Sequence, residues 1–449
     1  MPLEKLLIFN VTRHRLGLLR VALGDVLVHV TFQDWTQDRA VRSLGTNAGA
    51  DELPFQSWRH FKEAFAPELI AHALAESQIP VKRCIDPFGG SGTTALACQF
   101  LGVHPITVEV NPFLADLIEA KLCTYDCDAL ARDFGRIVRE AKPGHPGPDD
   151  VLRHLPPTFI EPGVSDRWIF DRPVAGRIGL LLSAINSLSN EQHRRFFSVL
   201  LGGILVEVSN VVVNGKGRRY RRGWECRRRD PHIVDDLFCE ASQRAIGEVH
   251  RFSQRACSSY ELRRGDSRMM LDQPAICEMS VFSPPYPNSF DYTDVYNVEL
   301  WTLGYLMDRR ANRALRESTL CSHVQVAREF PDPPAGSAKL SVALDRLDNR
   351  RRNLWDHRIP EMVAGYFADM MQVMCWLRTN VARHGSVWMV VGDSRYAEIQ
   401  IETGAILVEL AEASGWEIRT IEPWRSMRAS AQQGGRHELA ETLIVLNNW

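Results

Sequence analysis

The chain has 449 residues, of which 45% are hydrophobic and 24% are charged. These values are close to the average for soluble globular proteins, so they exclude a disordered chain, a coiled coil and a miniature scaffold. Lys and Arg together number 53 against 55 Asp and Glu, a formal net charge of -2. A polyanion such as nucleic acid must therefore bind to a local basic patch, because the chain as a whole does not attract it.

Cysteine usage and apolar runs bear on the compartment. The ten cysteines are scattered and no C-x-x-C occurs, which disfavours a disulfide framework and a zinc site and favours a reducing cytoplasm. The N-terminal apolar stretch is too short for the core of a signal peptide. The most apolar run, Val199 to Val213, contains Glu207 and Asn210, and it is shorter than the roughly 18 to 20 residues of a membrane span. We expect a cytoplasmic protein without a membrane segment.

The elements of the first half begin with near-alternation from Leu19 to Phe32, which predicts a few strands in the first fifty residues. Apolar residues at helical spacing predict a helix within Phe55 to Glu76. Arg83 to Asp86 then predicts a strand, followed by a glycine turn and a helix that ends at Gly102. A second strand, Ile106 to Val110, completes the opening of a Rossmann-like βαβ unit with a parallel sheet.

The second half interrupts this alternation twice. From about Tyr125 to Arg255, a Pro/Gly-rich linker and apolar helical stretches predict an inserted helical subdomain. The βα pattern resumes at Tyr260 to Leu271 and at Met279 to Tyr286, and a mixed-charge stretch from about Asp308 to Pro360 follows. The last predicted elements are strand Ser386 to Val391, helix Thr403 to Ala413, strand Trp416 to Ile421 and strand Glu441 to Leu446.

These elements predict an α/β fold with a mostly parallel sheet, divided along the chain into core pieces and insertions. The predicted pieces are a β-rich extension (1–50), the cofactor half of the core (51–125), an inserted helical subdomain with a basic loop (126–257), the catalytic half of the core (258–307), a second insertion (308–360) and the C-terminal strands (361–449).

The glycine turn after the first strand reads Asp86-Pro-Phe-Gly-Gly-Ser-Gly-Thr-Thr94. It lies where an α/β sheet presents its ligand crevice, and it has neither the spacing nor the lysine of a P-loop, which disfavours ATP and GTP. Gly90-Ser-Gly92 followed by Ala95 satisfies a permitted variant of the dinucleotide fingerprint, so NAD stays open from this turn alone. Glu109, nineteen positions after Gly90, has the position of a ribose-binding carboxylate for any adenosine cofactor.

A second motif, Val281-Phe-Ser-Pro-Pro-Tyr286, is an apolar strand that two prolines end abruptly. Alone, it is more often a strand terminator with a packed tyrosine than a functional turn. Together with the glycine turn, it resembles the S-adenosylmethionine-dependent amino methyltransferases of DNA, which carry a D-P-F-x-G-S-G-T-type loop and a [DNS]-P-P-[YFW] motif. Phe65 to Ile70, Glu109 in Val-Glu-Val-Asn-Pro, and Gly265-Asp266-Ser267 extend the similarity, which covers roughly residues 55–125, 260–305 and 361–446.

The resemblance implies the class I methyltransferase fold, with a seven-stranded sheet flanked by helices, and it implies S-adenosylmethionine as the cofactor. It implies that Phe88, Gly90 and Gly92 form the loop at the methionine end beside Asp86, and that Glu109 binds the ribose. It further implies that Asp266 lies by the adenine. The pair that would close the methionine side is Phe65 and Pro67.

The chemistry of amino methylation gives the second motif a role. An exocyclic amino group conjugated to a base is a poor nucleophile, so it needs acceptors that hold its hydrogens while the lone pair faces the methyl carbon. Ser283 and the Pro284 carbonyl are candidate acceptors. Extrusion of the base from double-stranded DNA costs a few kcal/mol, part of which stacking on Tyr286 recovers. Pro285 fixes the turn without a chemical role.

Several substrates stay open. No Pro-Cys dipeptide occurs, which disfavours covalent methylation at cytosine C5. Serine at position 283 resembles the N4-cytosine group, whereas N6-adenine enzymes usually carry Asp or Asn, so N4-cytosine is favoured and N6-adenine is the alternative. An RNA amino methyltransferase and a DNA-binding protein with a dead site are further alternatives, and the intact motifs disfavour the latter. A restriction endonuclease partner is also left open.

A basic run supplies the candidate DNA contacts, although such a run is often only a solvated face. Its eight basic residues are Lys216, Arg218, Arg219, Arg221, Arg222, Arg227, Arg228 and Arg229. The second insertion carries its own basic cluster at positions 350–352, and we favour the first insertion for DNA contact. After the second motif, we expect Tyr296 and Trp301 to be core aromatics, and leave Tyr292 open between core and base pocket.

Overall fold

The computed structural model describes residues 30–41, 43–60, 64–142, 151–214, 217–270, 276–428 and 438–449. Within these ranges no helix has the length and apolar character needed to cross a membrane. The same described residues contain no cluster of three or more His, Cys, Asp or Glu side chains arranged to hold a metal ion.

A seven-stranded sheet forms the centre of the fold. Its strands, in chain order, are β1 (Arg83–Asp86), β2 (His104–Glu109), β5 (Glu261–Arg264), β6 (Cys277–Phe282), β7 (Val381–Gly392), β10 (Glu417–Arg428) and β11 (Glu438–Asn447). Two antiparallel hairpins lie outside it, β3 (Val211–Asn214) with β4 (Gly217–Tyr220) and β8 (Ser394–Tyr396) with β9 (Ile399–Ile401).

The order across the sheet is β10-β11-β7-β6-β1-β2-β5. The strands from β7 to β5 are parallel, and β11 pairs antiparallel with both β7 and β10. From β1, the chain adds strands β2 and β5 on one side and strands β6 and β7 on the other. The crevice at the carboxyl ends of β1 and β6 is therefore a topological switch point, where α/β sheets bind ligands. The predicted mostly parallel, Rossmann-like class I fold is confirmed.

Helices cover both faces of the sheet. Neighbouring residues on each buried strand point to opposite faces, so both faces are apolar and must be buried. Cys84 packs into one hydrophobic core and Ile85 into the other. The first core contains the helices α1 (Phe32–Thr36), α2 (Glu68–Ala75), α3 (Thr93–Phe100) and α4 (Pro112–Leu122). Asn111 begins α4, since its side-chain oxygen accepts from the Phe113 and Leu114 amides.

The first insertion extends this same core. Among its described residues are the helices α5 (Cys127–Glu140), α6 (Arg172–Asn186), α7 (Glu191–Val208) and α8 (His232–Arg251), with the hairpin β3–β4 between α7 and α8. Buried Phe196, Phe197 and Phe238 join these helices through edge and tilted ring contacts. The helices therefore pack on the core rather than standing apart from it.

The other face is covered by the second half of the chain. Two short helices, α9 (Tyr292–Val295) and α10 (Asn297–Thr302), follow β6, and α11 (Arg309–Glu317), α12 (Ala338–Asn349), α13 (Ile359–Asn380) and α14 (Thr403–Ala413) come later. The second core is built around α12, α13 and α14 against β7 and β11. The division into six domain pieces stays a prediction.

The bounds of the predicted helices and strands agree with the structure in some places and differ in others. The predicted strand Arg83 to Asp86 and helix Thr403 to Ala413 are observed with those bounds. The β-rich extension predicted for residues 1–50 has its alternation from Leu19 to Phe32 almost wholly outside the described residues, so it stays a prediction; the described part, 30–41 and 43–50, carries α1. The helix predicted within Phe55 to Glu76 is shorter, because α2 begins only at Glu68.

Candidate active site

The glycine turn is shaped by backbone conformations that side chains disfavour. Gly90 has φ +53° and Gly92 has φ +79°, both in the left-handed region. A Cβ at Gly92 would also lie 2.9 Å from Cγ1 of Ile118. The turn therefore requires glycine at position 92, and it exposes backbone to the cavity directly before α3 begins at Thr93.

Glu109 locks this turn from the end of β2. Its Oε2 accepts a hydrogen bond from the Gly90 amide at 2.7 Å, and its Oε1 accepts one from the Asn111 amide at 2.7 Å. Burial raises the pKa of Glu109 to about 7, against the effect of these two amides. Each carboxylate oxygen still has a second lone pair for a ribose hydroxyl.

Asp86 is a second buried carboxyl in the same crevice. It is 4% exposed, and its Oδ1 accepts from the Phe88 amide at 2.9 Å. Burial raises its pKa to about 7, with the Phe88 amide acting in the opposite direction. Two carboxyls that titrate near neutral pH provide charge for a cation, because a bound cation favours their ionised forms.

Asp266 is tied to charged neighbours. It follows β5 and forms an ion pair with Arg268, whose Nη2 lies 2.6 Å from Oδ2, while Arg268 Nη1 reaches Asp369 at 3.0 Å. Ser267 donates to the Pro87 carbonyl, which joins this turn to the glycine turn. The structure therefore places Asp266 beside the cavity with both carboxylate oxygens already accepting from Arg268.

The remaining predicted cofactor residues divide into two groups. Phe65 and Phe88 line the same cavity as the glycine turn. Pro67 is buried at the N-terminus of α2, and it is absent from the described lining of that cavity. The role predicted for Pro67 therefore has less geometric support than that of Phe65, and both roles stay predictions.

The Ser-Pro-Pro-Tyr turn begins where β6 ends. Ser283 Oγ donates to the Val390 carbonyl of the neighbouring β7 at 2.9 Å and lies 3.2 Å from the Tyr286 hydroxyl. The Tyr286 hydroxyl lies 3.0 Å from Oε1 of Glu441 on β11. Burial raises the pKa of Tyr286 well above its usual value, with Glu441 adding to the shift. Tyr286 therefore keeps its proton at neutral pH.

Aromatic residues after this turn separate into pocket and core. The Tyr292 hydroxyl lies within 3.5 Å of the Tyr286 amide and the Asn288 side chain, and Tyr292 lines the cavity. Trp301 is 5% exposed within α10, as expected of a core aromatic. Tyr296 is 3% exposed, so it too is a core residue, although one edge also lines the cavity.

The second insertion contributes a wall that sequence reasoning did not assign. Arg316 pairs with Asp291 at 2.9 Å, and Nε2 of His323 lies 3.9 Å from the same carboxylate. Burial lowers the pKa of His323 to about 4, so its ring is neutral at pH 7. These three side chains all line the cavity.

One cavity of about 690 Å³ joins these parts. Its lining includes the glycine turn, Glu109, the Ser-Pro-Pro-Tyr turn, Glu441 and the second-insertion wall. This size is within the range of small-molecule and cofactor pockets. The sheet order brings the parts together, since the carboxyl ends of β1 and β6 lie at the same edge.

The basic run forms the β3–β4 hairpin and the loop after it. Arg219, Arg222 and Arg227 are exposed, and Arg219 also lines the cavity. Lys216 lies outside the described residues, and Arg218 is half-buried. Arg228 is exposed too, although it pairs with Glu161, so four of the eight predicted DNA contacts are exposed.

Other arginines of the run have internal contacts. Arg221 donates to the Val206 and Ser209 carbonyls at the end of α7, at 2.9 and 3.1 Å. Arg228 pairs with Glu161 at 2.8 Å and lies over the Trp168 ring. Arg229 is half-buried and its amide donates to Asp171. These contacts indicate a structural role for part of the run.

Sequence reasoning missed Glu441 and the residues Asp291, Arg316 and His323. Glu441 begins the predicted closing strand, but its sequence neighbours carry no motif. The pairing of β11 with β7 places it opposite Gly392, and only this antiparallel pairing brings it to the carboxyl end of β6. The other three are separated by up to 32 positions, so only the folded chain joins them.

Comparison with known proteins gives homologues of one kind. The chain is 25% identical over 438 residues to the Type II methyltransferase M.AvaI of Nostoc sp., covering 86% of this chain and 84% of that protein. It is 23% identical over 477 residues to the Type II methyltransferase M.BsoBI of Geobacillus stearothermophilus, covering 93% and 89%. A shorter match, 35% identical over 72 residues, is to the Type II methyltransferase M.MjaII of Methanocaldococcus jannaschii.

Two further comparisons add little. No protein-family profile matches the chain. An rRNA methyltransferase from Streptomyces viridochromogenes, a solved structure, covers 86% of this chain and 85% of its own with 9% identity and a TM-score of 0.27. A TM-score this low supports no conclusion about fold or substrate.

Proposed function

Because the homologues of this chain are Type II DNA methyltransferases, consistent with the amino-methyltransferase family, we propose that it transfers a methyl group to N4 of cytosine in DNA. One observation carries the proposal. The glycine turn with Glu109 and the Ser-Pro-Pro-Tyr turn open into a single cavity, so a cofactor at one turn faces an amino group at the other.

S-adenosylmethionine is the methyl donor that the methyltransferase homologues imply. It supplies a methyl carbon made electrophilic by a sulfonium centre. The buried carboxyls fit such a cation, since Asp86 and Glu109 both have pKa values raised to about 7 and gain by ionising beside positive charge. Glu109 would hold the ribose, and the backbone at Gly90 would border the methionine end. Gly92 is absent from the described lining of the cavity and would act only by shaping the turn.

The target base would enter from the side of Ser283. A Ser283 hydroxyl that donates to Val390 or Tyr286 keeps lone pairs to accept a hydrogen of the amino group. The Pro284 carbonyl, on the same cavity lining, would accept the second hydrogen and leave the nitrogen lone pair directed at the methyl carbon. Tyr286 and Tyr292 supply aromatic faces for a base extruded from the duplex.

Double-stranded DNA would lie along the β3–β4 hairpin. Exposed Arg219, Arg222 and Arg227 would neutralise phosphates, and Arg219 also borders the cavity. This position places the phosphate contacts next to the opening through which the base must pass. The second insertion, through Arg316 and His323, would line the base side of the cavity rather than contact the backbone.

The test is identification of the methylated product. Purified protein is incubated with methyl-labelled S-adenosylmethionine and unmethylated genomic DNA, and the digested nucleosides are identified by mass. Labelled N4-methylcytosine is expected. Labelled N6-methyladenine would keep the site and overturn the base assignment, whereas label in RNA alone would overturn DNA as the substrate.

A further inference from the structure

We propose that Glu441 is the terminal proton acceptor of a relay that runs from the target amino group through Ser283 and Tyr286. The inference rests on the proposed function and adds a residue that the motifs do not assign. Glu441 is 2% exposed and contacts the Tyr286 hydroxyl, which contacts Ser283. It thus acts through two other side chains rather than on the substrate itself.

Strand pairing brings Ser283, Tyr286 and Glu441 together in a row. Phe282 pairs with Met389 in the parallel β6–β7 ladder, so Ser283 comes next to Val390. Glu441 pairs with Gly392 in the antiparallel β7–β11 ladder. Because β11 runs opposite to its neighbour, its first residues lie at the same edge as the last residues of β6 and β7. The three strands therefore place hydroxyl, phenol and carboxyl side by side.

A proton count shows what the row can do. Three oxygen–oxygen contacts, of 2.9, 3.2 and 3.0 Å, join the Val390 carbonyl, Ser283, Tyr286 and Glu441. Each contact needs one proton to be a hydrogen bond, yet Ser283 and Tyr286 contribute only one each. With Glu441 ionised, one contact has no proton. With Glu441 protonated, all three are satisfied, so the row has room for one additional proton.

Methyl transfer to an amino group releases one proton. As the nitrogen–carbon bond forms and the carbon–sulfur bond breaks, the sulfur takes the electron pair and the nitrogen becomes cationic. As the nitrogen gains positive charge, a nitrogen-bound proton moves to Ser283 Oγ, whose own hydrogen has turned from the Val390 carbonyl toward Tyr286. The serine proton moves to Tyr286 and the tyrosine proton moves to Glu441. The products are a neutral methylated base, the thioether and a protonated Glu441, which must lose its proton to solvent before the next turnover.

The relay also explains why the amino group reacts. A hydroxyl that donates to a second hydroxyl, which in turn donates to a carboxylate, is a stronger acceptor than an isolated one, because successive hydrogen bonds polarise each other. Partial proton transfer in the transition state restores electron density to a nitrogen whose lone pair is otherwise delocalised into the ring. General-base assistance of this kind contributes about 10²-fold to 10⁴-fold to rates.

The test uses two isosteric variants, Glu441→Gln and Tyr286→Phe. Glu441→Gln retains a polar partner for Tyr286 but accepts no proton, while Tyr286→Phe keeps the ring and breaks the row. Glu422→Gln is the matched control, since it removes the same charge from an exposed position of the same sheet. Single-turnover methyl transfer to DNA is measured in H2O and in D2O, with calorimetric binding of cofactor and DNA.

We expect each relay variant to lower the methyl-transfer rate constant about 10²-fold, with cofactor and DNA affinities unchanged. The double variant should be no slower than the slower single variant, and the solvent isotope effect of the unmodified protein should be lost in both. Glu422→Gln should leave the methyl-transfer rate constant unchanged. The relay is overturned by variants that transfer methyl at the unmodified rate, by rate losses that multiply in the double variant, or by an isotope effect that persists in both.

A failure of the proposed function would look different. If the unmodified protein transfers no methyl group to DNA, the proposed function and the relay fall together. If it does so and Glu441→Gln is equally fast, only the relay falls. Should Glu441→Gln not fold, as judged by circular dichroism, Tyr286→Phe alone decides, because an unchanged rate in that variant contradicts any route through the phenol.

Discussion

The β3–β4 hairpin and the loop after it give a quantitative prediction for DNA binding, because Arg219 on β4 and Arg222 and Arg227 in the loop are exposed. Replacing Arg219, Arg222 and Arg227 by Gln should remove three phosphate contacts. The logarithm of the association constant falls with the logarithm of salt concentration with a slope of about 0.9 per neutralised phosphate. The triple variant should therefore show a slope smaller by about 2.7.

The same slope sets the size of the effect in an assay. A rise from about 50 mM to about 200 mM salt should weaken DNA binding by the unmodified protein about 40-fold more than binding by the variant. Fluorescence anisotropy with a labelled duplex measures the DNA affinity of the unmodified protein and of the variant at each salt concentration. The control replaces Arg132, Arg139 and Arg383, which are exposed but do not line the cavity. Equal salt slopes for the hairpin variant and the unmodified protein would refute the placement of DNA along the hairpin.

Three further predictions concern the cavity and its support. Ser283→Ala should slow methyl transfer about 10²-fold or more by removing an acceptor for the amino group, while calorimetry finds unchanged cofactor affinity; weakened cofactor binding instead would assign the residue to the other half of the site. Cofactor affinity should fall as the pH falls below about 7, because protonation of Asp86 and Glu109, both with pKa values raised to about 7, removes the charge that favours a cation; a flat profile between pH 6 and 8 contradicts this. Arg59→Met should lower the free energy of unfolding by about 3–5 kcal/mol, measured by denaturant titration, because it leaves a buried carboxylate without its partner. The carboxylate is that of Glu299, which is 0% exposed and lies 2.7 Å from Arg59. A loss under about 1 kcal/mol would show that the ion pair is dispensable.

Much of the site could be predicted from sequence because its motifs are local. The left-handed glycine at 92 and the proline-terminated strand before Ser283 each require particular residues over a few positions, and their order along the chain predicts the sheet that unites them. The same holds for Glu109, whose spacing from Gly90 places it at the end of the adjacent strand.

The unpredicted part of the site depends on contacts distant in sequence. Glu441 reaches Tyr286 across 155 positions, and nothing near it in the sequence marks an antiparallel strand that starts at the active edge. Arg316 reaches Asp291 from the second insertion, where charge alone gave no reason to prefer it over neighbouring arginines. Such residues are found only when the strand order and the path of the insertions are known.

Charge patterns gave a coarser prediction than motifs. The basic run was expected to form a loop, whereas it begins as a β-hairpin and continues past a buried Trp224. Arg221 is used to bind the carbonyls at the end of α7. A run of arginines does not distinguish those that face solvent from those that satisfy backbone groups, because both carry the same charge.

The central claim is that the glycine turn and the Ser-Pro-Pro-Tyr turn serve one cavity. A crystal structure with S-adenosylhomocysteine, the product left after methyl transfer, tests it most directly. We predict that the ribose hydroxyls lie within hydrogen-bond distance of Glu109 and that the sulfur faces Ser283 and Pro284. A cofactor bound elsewhere, or one whose sulfur faces away from Ser283, would contradict the account.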